Sequence, residues 1–164
     1  QTFREMQLRL RTDALTGLHN REWLMRTLGD RLDQGRRQAD QQPFAVLFID
    51  LNKFKHINDT LGHDAGDRVL VATAERLRQA TRSTDTVARY AGDEFVVLLD
   101  PVADIAVAEQ IRDKMDLALR EPVPGVAPEA FQGASIGVAY FAGTAVDAED
   151  LVRQADADMY RRKR

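Results

Sequence analysis

The stretch Arg89–Leu99, "RYAGDEFVVLL", places two adjacent carboxylates directly in front of a run of strand-forming residues. The valines, phenylalanine and leucines of "FVVLL" favour a buried strand, and the small residues Ala91 and Gly92 favour a tight turn before it. With the preceding "DTVARY", the stretch predicts a β-hairpin whose turn carries Asp93 and Glu94. Acids at such a turn are either solvated turn residues or ligands of a metal ion, and this pattern alone leaves both open.

Two further segments predict strands of the same sheet. The apolar run "FAVLFIDL", residues 44–51, fits a central strand and brings Asp50 to its C-terminal end. The segment "FQGASIGVAYF", residues 131–141, alternates like a strand. Helical patterns fill the intervals, and Asp147 is the expected N-cap of the last helix. This order predicts an α/β or α+β sandwich, a sheet with antiparallel strands and helices on one or both faces.

The composition excludes several classes of protein. A chain of 164 residues predicts one domain with a core of its own. Its net charge of −3 argues against a broad nucleic-acid surface. The absence of cysteine excludes disulfides, thiolate catalysis and cysteine-based zinc sites. No apolar run approaches the roughly 20 residues of a membrane span, and the charged segment 1–12 is unlike a signal peptide.

The first twelve residues have helical spacing of apolar side chains, at Phe3, Met6 and Leu10. They are interpreted as the end of a longer connector helix, which would come from an upstream module. A simple N-terminal helix that packs on the domain explains the same pattern equally well.

Asp50, Asp93 and Glu94 form a candidate site. One acid ends a central strand, and the other two occupy a hairpin turn that could pair beside it. Mg²⁺ prefers oxygen ligands and is usually held by one or two carboxylates together with substrate phosphates. The three acids are therefore candidates for a magnesium–phosphate site, but their chemistry alone leaves open that Asp93 and Glu94 are solvated turn residues and Asp50 a capping or turn residue.

The segment "AGDEF" resembles the GGDEF signature of bacterial diguanylate cyclases, which make cyclic di-GMP from two GTP molecules. The similarity extends from about residue 12 to the end of the chain, because further segments resemble the family's motifs in the family's order. These are "DALTGLHNR" (13–21), "FIDLNKFKHINDTLGHDAGD" (48–67), "RSTD" (82–85), "SIGVA" (135–139) and "ADADMYRRK" (155–163).

The resemblance implies a fold, a partner and a cofactor. The fold is a central mixed, mostly antiparallel five-stranded sheet surrounded by helices, akin to the nucleotidyl-cyclase palm. Residues 13–164 would form the catalytic domain, and residues 1–12 the end of the connector. The activity would be a Mg²⁺- or Mn²⁺-dependent nucleotidyl transfer between two protomers, each of which binds one GTP.

Metal and catalytic roles follow from the resemblance position by position. Asp50 and Asp93 would bind the metal, with a backbone oxygen at Leu51. Asp93 and Glu94 would be catalytic, and Glu94 would assist either the metal or the attacking 3′-hydroxyl.

The resemblance also implies the nucleotide contacts. Asn58 and Asp67 would read guanine, which suits them because an amide can donate to an acceptor and a carboxylate can accept from the N1–H and N2–H₂ edge. From the residues alone, a helix cap is the favoured interpretation of Asn58, and an exposed acid beside Gly66 that of Asp67. The phosphate contacts would be the backbone N–H groups of Lys53 and Phe54, together with Gly92, Lys55 and Lys163. A solvated charge is the alternative for Lys163.

Arg82 and Asp85 match the family's RxxD inhibitory motif, at which the product cyclic di-GMP would bind. Arg112, on the next predicted helix, is a candidate for the second half of that site. An Arg-x-x-Asp pair is otherwise commonly a surface ion pair of little energy.

Two positions depart from the family pattern. Ala91 replaces the first glycine of the signature, which would strain the turn by roughly 1 kcal/mol if φ is positive there and cost little otherwise. Asn52 stands where many relatives carry a second aspartate, so one charge near the metal is missing.

The resemblance therefore predicts a diguanylate cyclase domain, with GTP as substrate, cyclic di-GMP as product and inhibitor, and no nucleic-acid partner. We expect a cytoplasmic domain of a larger protein with an upstream sensor. Membrane anchoring of that protein and a further downstream domain are left open. The alternative functions are a catalytically silent GTP-binding regulatory domain, suggested by Ala91, and a cyclic di-GMP receptor.

Overall fold

A computed structural model describes residues 2–37, 42–143 and 146–163. The helices are α1 (Phe3–Arg11), α2 (Arg21–Arg37), α3 (Phe54–Leu61), α4 (His63–Gln79), α5 (Ile105–Arg120) and α6 (Ala148–Arg162). The strands are β1 (His19–Asn20), β2 (Phe44–Leu51), β3 (Thr86–Ala91), β4 (Glu94–Leu99) and β5 (Ala134–Phe141).

Within the described residues, the strands form one five-stranded mixed sheet in the order β1-β3-β4-β2-β5. The β3–β4, β4–β2 and β2–β5 pairs are antiparallel, and the two-residue β1 pairs in parallel with β3. The predicted hairpin and the predicted central strand are therefore neighbours. The predicted fold class is confirmed, whereas the short edge strand β1 was not predicted.

Each face of the sheet carries its own core, because successive side chains of a strand point to opposite faces. On one face, Leu47 and Ile49 of β2 belong to a cluster that includes α4 and α5 residues. On the other face, Phe44 and Phe48 belong to a cluster with α2 and α6. Asp50 continues the second register, which directs it to the α6 side.

The leucines Leu24, Leu28 and Leu32 form a buried stripe on α2. The expected N-cap of the last helix is confirmed. The Asp147 side chain caps α6 by accepting a hydrogen bond from the backbone N–H of Asp150 at 2.8 Å, a contact that satisfies one of the unpaired donors of the first helical turn.

None of the helices in the described residues has both the length and the apolar character that a membrane-spanning helix needs.

Candidate active site

The end of β2 and the hairpin turn between β3 and β4 bring the candidate acids together. Asp50 lies directly opposite Glu94 in the β2–β4 ladder. Asp93 occupies the turn, and its backbone carbonyl accepts a hydrogen bond from the N–H of Leu51 at 3.1 Å. The three carboxylates, which come from two separate sequence motifs, are thus neighbours at one end of the sheet.

The proximity of these acids perturbs their protonation. The pKa of Asp93 is raised, first by burial and then by the negative charge of Asp50. The pKa of Glu94 is raised by burial and by the charges of Asp50 and Asp93. Like charges held close together in a partly buried site disfavour full ionisation. A bound cation would relieve this repulsion.

A cationic side chain already contacts the acids. The Nζ of Lys163, just beyond α6, donates to Oδ2 of Asp50 at 2.7 Å. The Asp50 carboxylate thus already forms an ion pair with a cationic group. Carboxylate oxygens are also the ligands that a divalent cation such as Mg²⁺ prefers.

These acids would provide only part of a coordination shell. Across residues 2–37, 42–143 and 146–163, no group of three or more histidine, aspartate or glutamate side chains is arranged to hold a metal by itself. The remaining ligands of a cation at Asp50 and Asp93 would therefore be backbone, water or substrate oxygens, which is the usual arrangement for Mg²⁺ bound with nucleotide phosphates.

The turn between β2 and α3 borders a cavity beside the acids. Lys53 adopts the left-handed conformation, with φ 58° and ψ 32°, and no side chain caps the N-terminus of α3. The cavity has a volume of about 530 Å³, and Lys53 and Lys163 both line it. Lys55 lies one residue further along, in the first turn of α3, with an exposed side chain.

Asn58 and Asp67 lie on consecutive helices, α3 and α4. The Asn58 amide covers Gly66, because a Cβ built on that glycine would be 1.9 Å from the Asn58 Oδ1. Asn58 is half-buried and Asp67 is exposed. Asn58 can lie there because Gly66 has no side chain. Asp67 follows Gly66 directly in the sequence.

Arg89 connects the signature turn to the start of the domain. Its Nη1 donates to both carboxylate oxygens of Asp13, at 3.1 and 3.2 Å, and its Nη2 donates to the carbonyl of Gly92 at 2.9 Å. Burial raises the pKa of Asp13, but hydrogen bonds from Thr16 and the charge of Arg89 outweigh burial and leave that pKa lowered. The sequence analysis missed this link, although each partner lies in a quoted motif.

The turn residues Ala91 and Gly92 show no backbone strain. Lys53 is the non-glycine residue with positive φ among those described, so Ala91 is unstrained. A Cβ on Gly92 would meet nothing within 4 Å. Packing within the chain therefore does not explain why a glycine occurs at the exposed position 92.

Comparison with known proteins shows the family to which the chain belongs. The model of the family described as "Diguanylate cyclase, GGDEF domain" matches residues 10–164. The chain belongs to the GGDEF-domain family.

Individual GGDEF proteins are similar over most of this chain. The bifunctional diguanylate cyclase/cyclic di-GMP phosphodiesterase MucR of Pseudomonas aeruginosa is 41% identical over 92% of this chain and 22% of its own length. The solved GGDEF domain of TpbB from the same organism is 40% identical, with a TM-score of 0.81 over 93% of this chain and 88% of that one. A sensory box/GGDEF family protein from Caulobacter crescentus is 37% identical, with a TM-score of 0.82 over 93% of this chain and 97% of that one.

The chain spans about a fifth of the length of the first curated relatives that it matches, since the covered shares are 22%, 19% and 18%. The GGDEF domain is therefore one part of those longer proteins.

In this GGDEF domain, Arg82 and Asp85 form a hydrogen-bonded pair. The Asp85 side chain is only 1% exposed, and it accepts bonds from the Arg82 guanidinium at 2.9 Å and from the backbone N–H of Asp100 at 3.1 Å. Arg82 also donates to the carbonyl of Pro101 at 2.7 Å. The hydrogen bond with Asp85 is the first cause of the raised pKa of Arg82.

Arg112 of the GGDEF domain has different partners from Arg82. It donates to Glu109 at 3.2 Å and to Asp113, both on α5. The pair Arg82–Asp85 is therefore assembled in this structure, whereas Arg112 is held by acids of its own helix and shares no partner with Arg82.

Proposed function

We propose that this chain is the catalytic domain of a diguanylate cyclase, which condenses two GTP molecules into cyclic di-GMP and pyrophosphate. The observation that carries the proposal is the placement of Asp50 opposite Glu94, with Asp93 beside them and with raised pKa values at Asp93 and Glu94. Such a group of partly buried acids suits a cation and a triphosphate better than it suits a solvated turn.

Asp50 and Asp93 would hold Mg²⁺ or Mn²⁺, together with a backbone oxygen at Leu51. When bound, the divalent ion neutralises phosphate charge and favours ionisation of the attacking hydroxyl. The raised pKa of Glu94 suits this residue to accept the proton of a 3′-hydroxyl. The 3′-oxygen then forms a bond to the α-phosphorus of the other GTP, and the bond from that phosphorus to pyrophosphate breaks.

Asn58 and Asp67 would bind the guanine base. The half-buried Asn58 lies against Gly66, and the exposed Asp67 directly follows this glycine. An amide and a carboxylate together offer the donor and acceptors that match the guanine edge.

The phosphates would lie between the acids and the start of α3. The first N–H groups of a helix lack partners within it and favour anions, so the backbone at Lys53 and Phe54 is suited to phosphate. Lys55 and Lys163 would contribute charge, and the open space beside Gly92 would admit the substrate close to the backbone.

Catalysis would require two protomers, because one site holds one GTP and supplies one 3′-hydroxyl. The helix α1, in residues 1–12, exposes 75% of Phe3, 50% of Met6 and 66% of Leu10. Such a surface supports the interpretation of α1 as the end of a connector helix that brings two copies of residues 13–164 together.

Arg82 and Asp85 would bind cyclic di-GMP and thereby limit the activity. Asp85 fixes the Arg82 guanidinium through two of its nitrogens, and the Arg82 side chain remains 49% exposed. Arg112 would join this site only after releasing Glu109 or Asp113.

The whole protein would be a signalling protein in which an upstream sensor controls this domain. MucR is named as both a cyclase and a cyclic di-GMP phosphodiesterase, which supports a downstream domain as a further possibility in the full chain. We propose a cytoplasmic position for this domain, where GTP is available.

The silent-domain alternative depended on Ala91, and the absence of positive φ at that residue weakens it. The test is to incubate the protein with GTP and Mg²⁺ and to separate the products by chromatography. We expect cyclic di-GMP from the wild type and none from Glu94→Gln. Glu149→Gln is a matched control, because Glu149 lies at the exposed start of α6, at the far end of that helix from Lys163. Equal activity of Glu94→Gln and Glu149→Gln would refute the assignment.

A further inference from the structure

We propose that Asn52 and Ser135 are positioning residues for the triphosphate. Together they hold the turn formed by Asn52, Lys53 and Phe54 in the conformation that directs the backbone N–H groups of Lys53 and Phe54 toward the phosphates. This proposal deepens the proposed cyclase function and rests on it.

The turn requires an external restraint because Lys53 is in a costly conformation. The left-handed region costs a non-glycine residue about 1–2 kcal/mol. Lys53 has φ 58° and ψ 32° without a capping side chain. Residues in such sparsely populated conformations persist when the surrounding structure fixes them, and they cluster at ligand sites.

Asn52 supplies that restraint through three hydrogen bonds to the segment that leads into β5. Its backbone N–H donates to the carbonyl of Gly133 at 2.9 Å, and its Nδ2 donates to the carbonyl of Gln132 at 3.1 Å. Its Oδ1 accepts from the Ser135 hydroxyl at 2.8 Å. The residue immediately before Lys53 is thereby fixed on its main chain and at both ends of its amide.

The bonds observed in this chain match an amide at position 52. One end of the side chain must donate to a carbonyl while the other end accepts from a hydroxyl. An ionised aspartate has no donor, so it would place a negative charge against the Gln132 carbonyl. Asn52 thus has a role of its own at the position where the sequence analysis noted only one missing charge near the metal.

The restrained turn forms a wall of the cavity in which the triphosphate would lie. That cavity of about 530 Å³ is lined by Asn52, Lys53, Gln132, Ser135 and Lys163. Its volume lies within the range of about 300–1,000 Å³ that is typical of small-molecule sites. Without the bonds to Asn52, Lys53 is free to leave the left-handed region, and the N–H groups at the start of α3 then turn away from the cavity.

The experiment compares Ser135→Ala, Asn52→Asp and the hydroxyl-preserving variant Ser135→Thr. The matched control is Thr60→Ala, since the Thr60 hydroxyl is exposed on α3 and its hydrogen-bond partner is His56 of the same helix. Binding is measured by calorimetry with Mg²⁺ and 3′-deoxy-GTP, which carries the triphosphate but lacks the attacking hydroxyl. Guanosine, which lacks the phosphates, is measured in parallel, and each variant is melted to compare stability.

The proposal predicts that Ser135→Ala and Asn52→Asp weaken 3′-deoxy-GTP binding about three- to tenfold, the value of one lost hydrogen bond. Guanosine affinity and melting temperature should match those of Thr60→Ala, and Ser135→Thr should restore 3′-deoxy-GTP binding. In turnover assays the KM for GTP should rise while kcat changes little.

Two results would overturn the proposal. One is wild-type affinity for 3′-deoxy-GTP in both variants; the other is an equal loss of guanosine and 3′-deoxy-GTP binding with a lower melting temperature, which indicates general destabilisation. A wild-type protein that binds neither ligand would refute the proposed function itself, together with the positioning role.

Discussion

Gly137→Ala should strongly destabilise the domain, because the backbone of α6 packs directly against this glycine of β5. A Cβ at Gly137 would be 2.1 Å from the carbonyl oxygen of Ala155 and 2.1 Å from the backbone nitrogen of Met159. Both are backbone atoms of α6, so no side-chain rotation can relieve the overlap. The helix must retreat by about 1 Å, because real Cβ contacts lie beyond 3.0 Å.

The expected cost is about 3 kcal/mol of unfolding free energy, at the upper end of typical overpacking penalties. In a domain of this size, that loss lowers the melting temperature by about 6–12 °C. Because α6 leads to Lys163, its retreat should also weaken the contact of Lys163 with Asp50 and reduce turnover. Urea unfolding, followed by circular dichroism, measures the free energy.

Gly29→Ala is the matched control. Gly29 lies inside α2, and a Cβ there would meet nothing within 4 Å. Alanine is favoured over glycine in a helix interior by about 0.8–1 kcal/mol, so this variant should be more stable than the wild type. The packing argument is wrong if Gly137→Ala costs less than about 1 kcal/mol while Gly29→Ala is stabilising.

Three further results are expected. Gly66→Ala should displace the Asn58 amide and lower GTP affinity by about three- to tenfold. The free energy of unfolding should change little, because the clash is with a movable side chain. Unchanged GTP affinity in calorimetry would argue against Asn58 as a guanine contact. Burial, followed by the charges of Arg11 and Arg78, lowers the pKa of His19 below its ordinary value of about 6.5. As the pH decreases through about 6.5, the unfolded chain therefore binds a proton before the folded chain does, and the stability of the fold falls. His19→Gln should reduce this dependence in unfolding experiments between about pH 7.5 and 5.5, and an unaltered slope would contradict the assignment. Arg82→Ala should abolish inhibition by added cyclic di-GMP while turnover persists, and unchanged inhibition would rule Arg82 out as a product contact.

The hairpin, the central strand and the cap at Asp147 were predictable because each depends on local sequence. A run of strand formers beside a small-residue turn specifies a hairpin, and an aspartate before a helical pattern specifies an N-cap. The placement of Asp50 beside the hairpin turn was predictable in outline, since the two segments were expected to pair.

The contacts between distant segments were not predictable in this way. The bonds of Arg89 to Asp13 and of Lys163 to Asp50 join residues 76 and 113 positions apart, and no local pattern encodes such pairs. The left-handed conformation of Lys53 was also missed, because the residue type gives no indication of positive φ. It follows from the tertiary contacts of Asn52, which override local preference.

The two-residue strand β1 was missed for a related reason. Helical patterns were assigned to the intervals between the predicted strands, so no strand was expected at residues 19–20. His19 and Asn20 pair with Ala88 and Arg89 of β3. This edge strand is therefore defined by its pairing with the hairpin and not by its own sequence.

The most direct test of the central claim is to fuse the domain to a parallel dimeric coiled coil in place of residues 1–12 and to assay it with GTP and Mg²⁺. The same fusion with Glu94→Gln serves as the control. The account predicts that the fused wild-type domain forms cyclic di-GMP and pyrophosphate, whereas the control binds GTP without product. Absence of product from the fused wild-type domain, despite bound GTP, would contradict the claim that these acids form a working half of a diguanylate cyclase site.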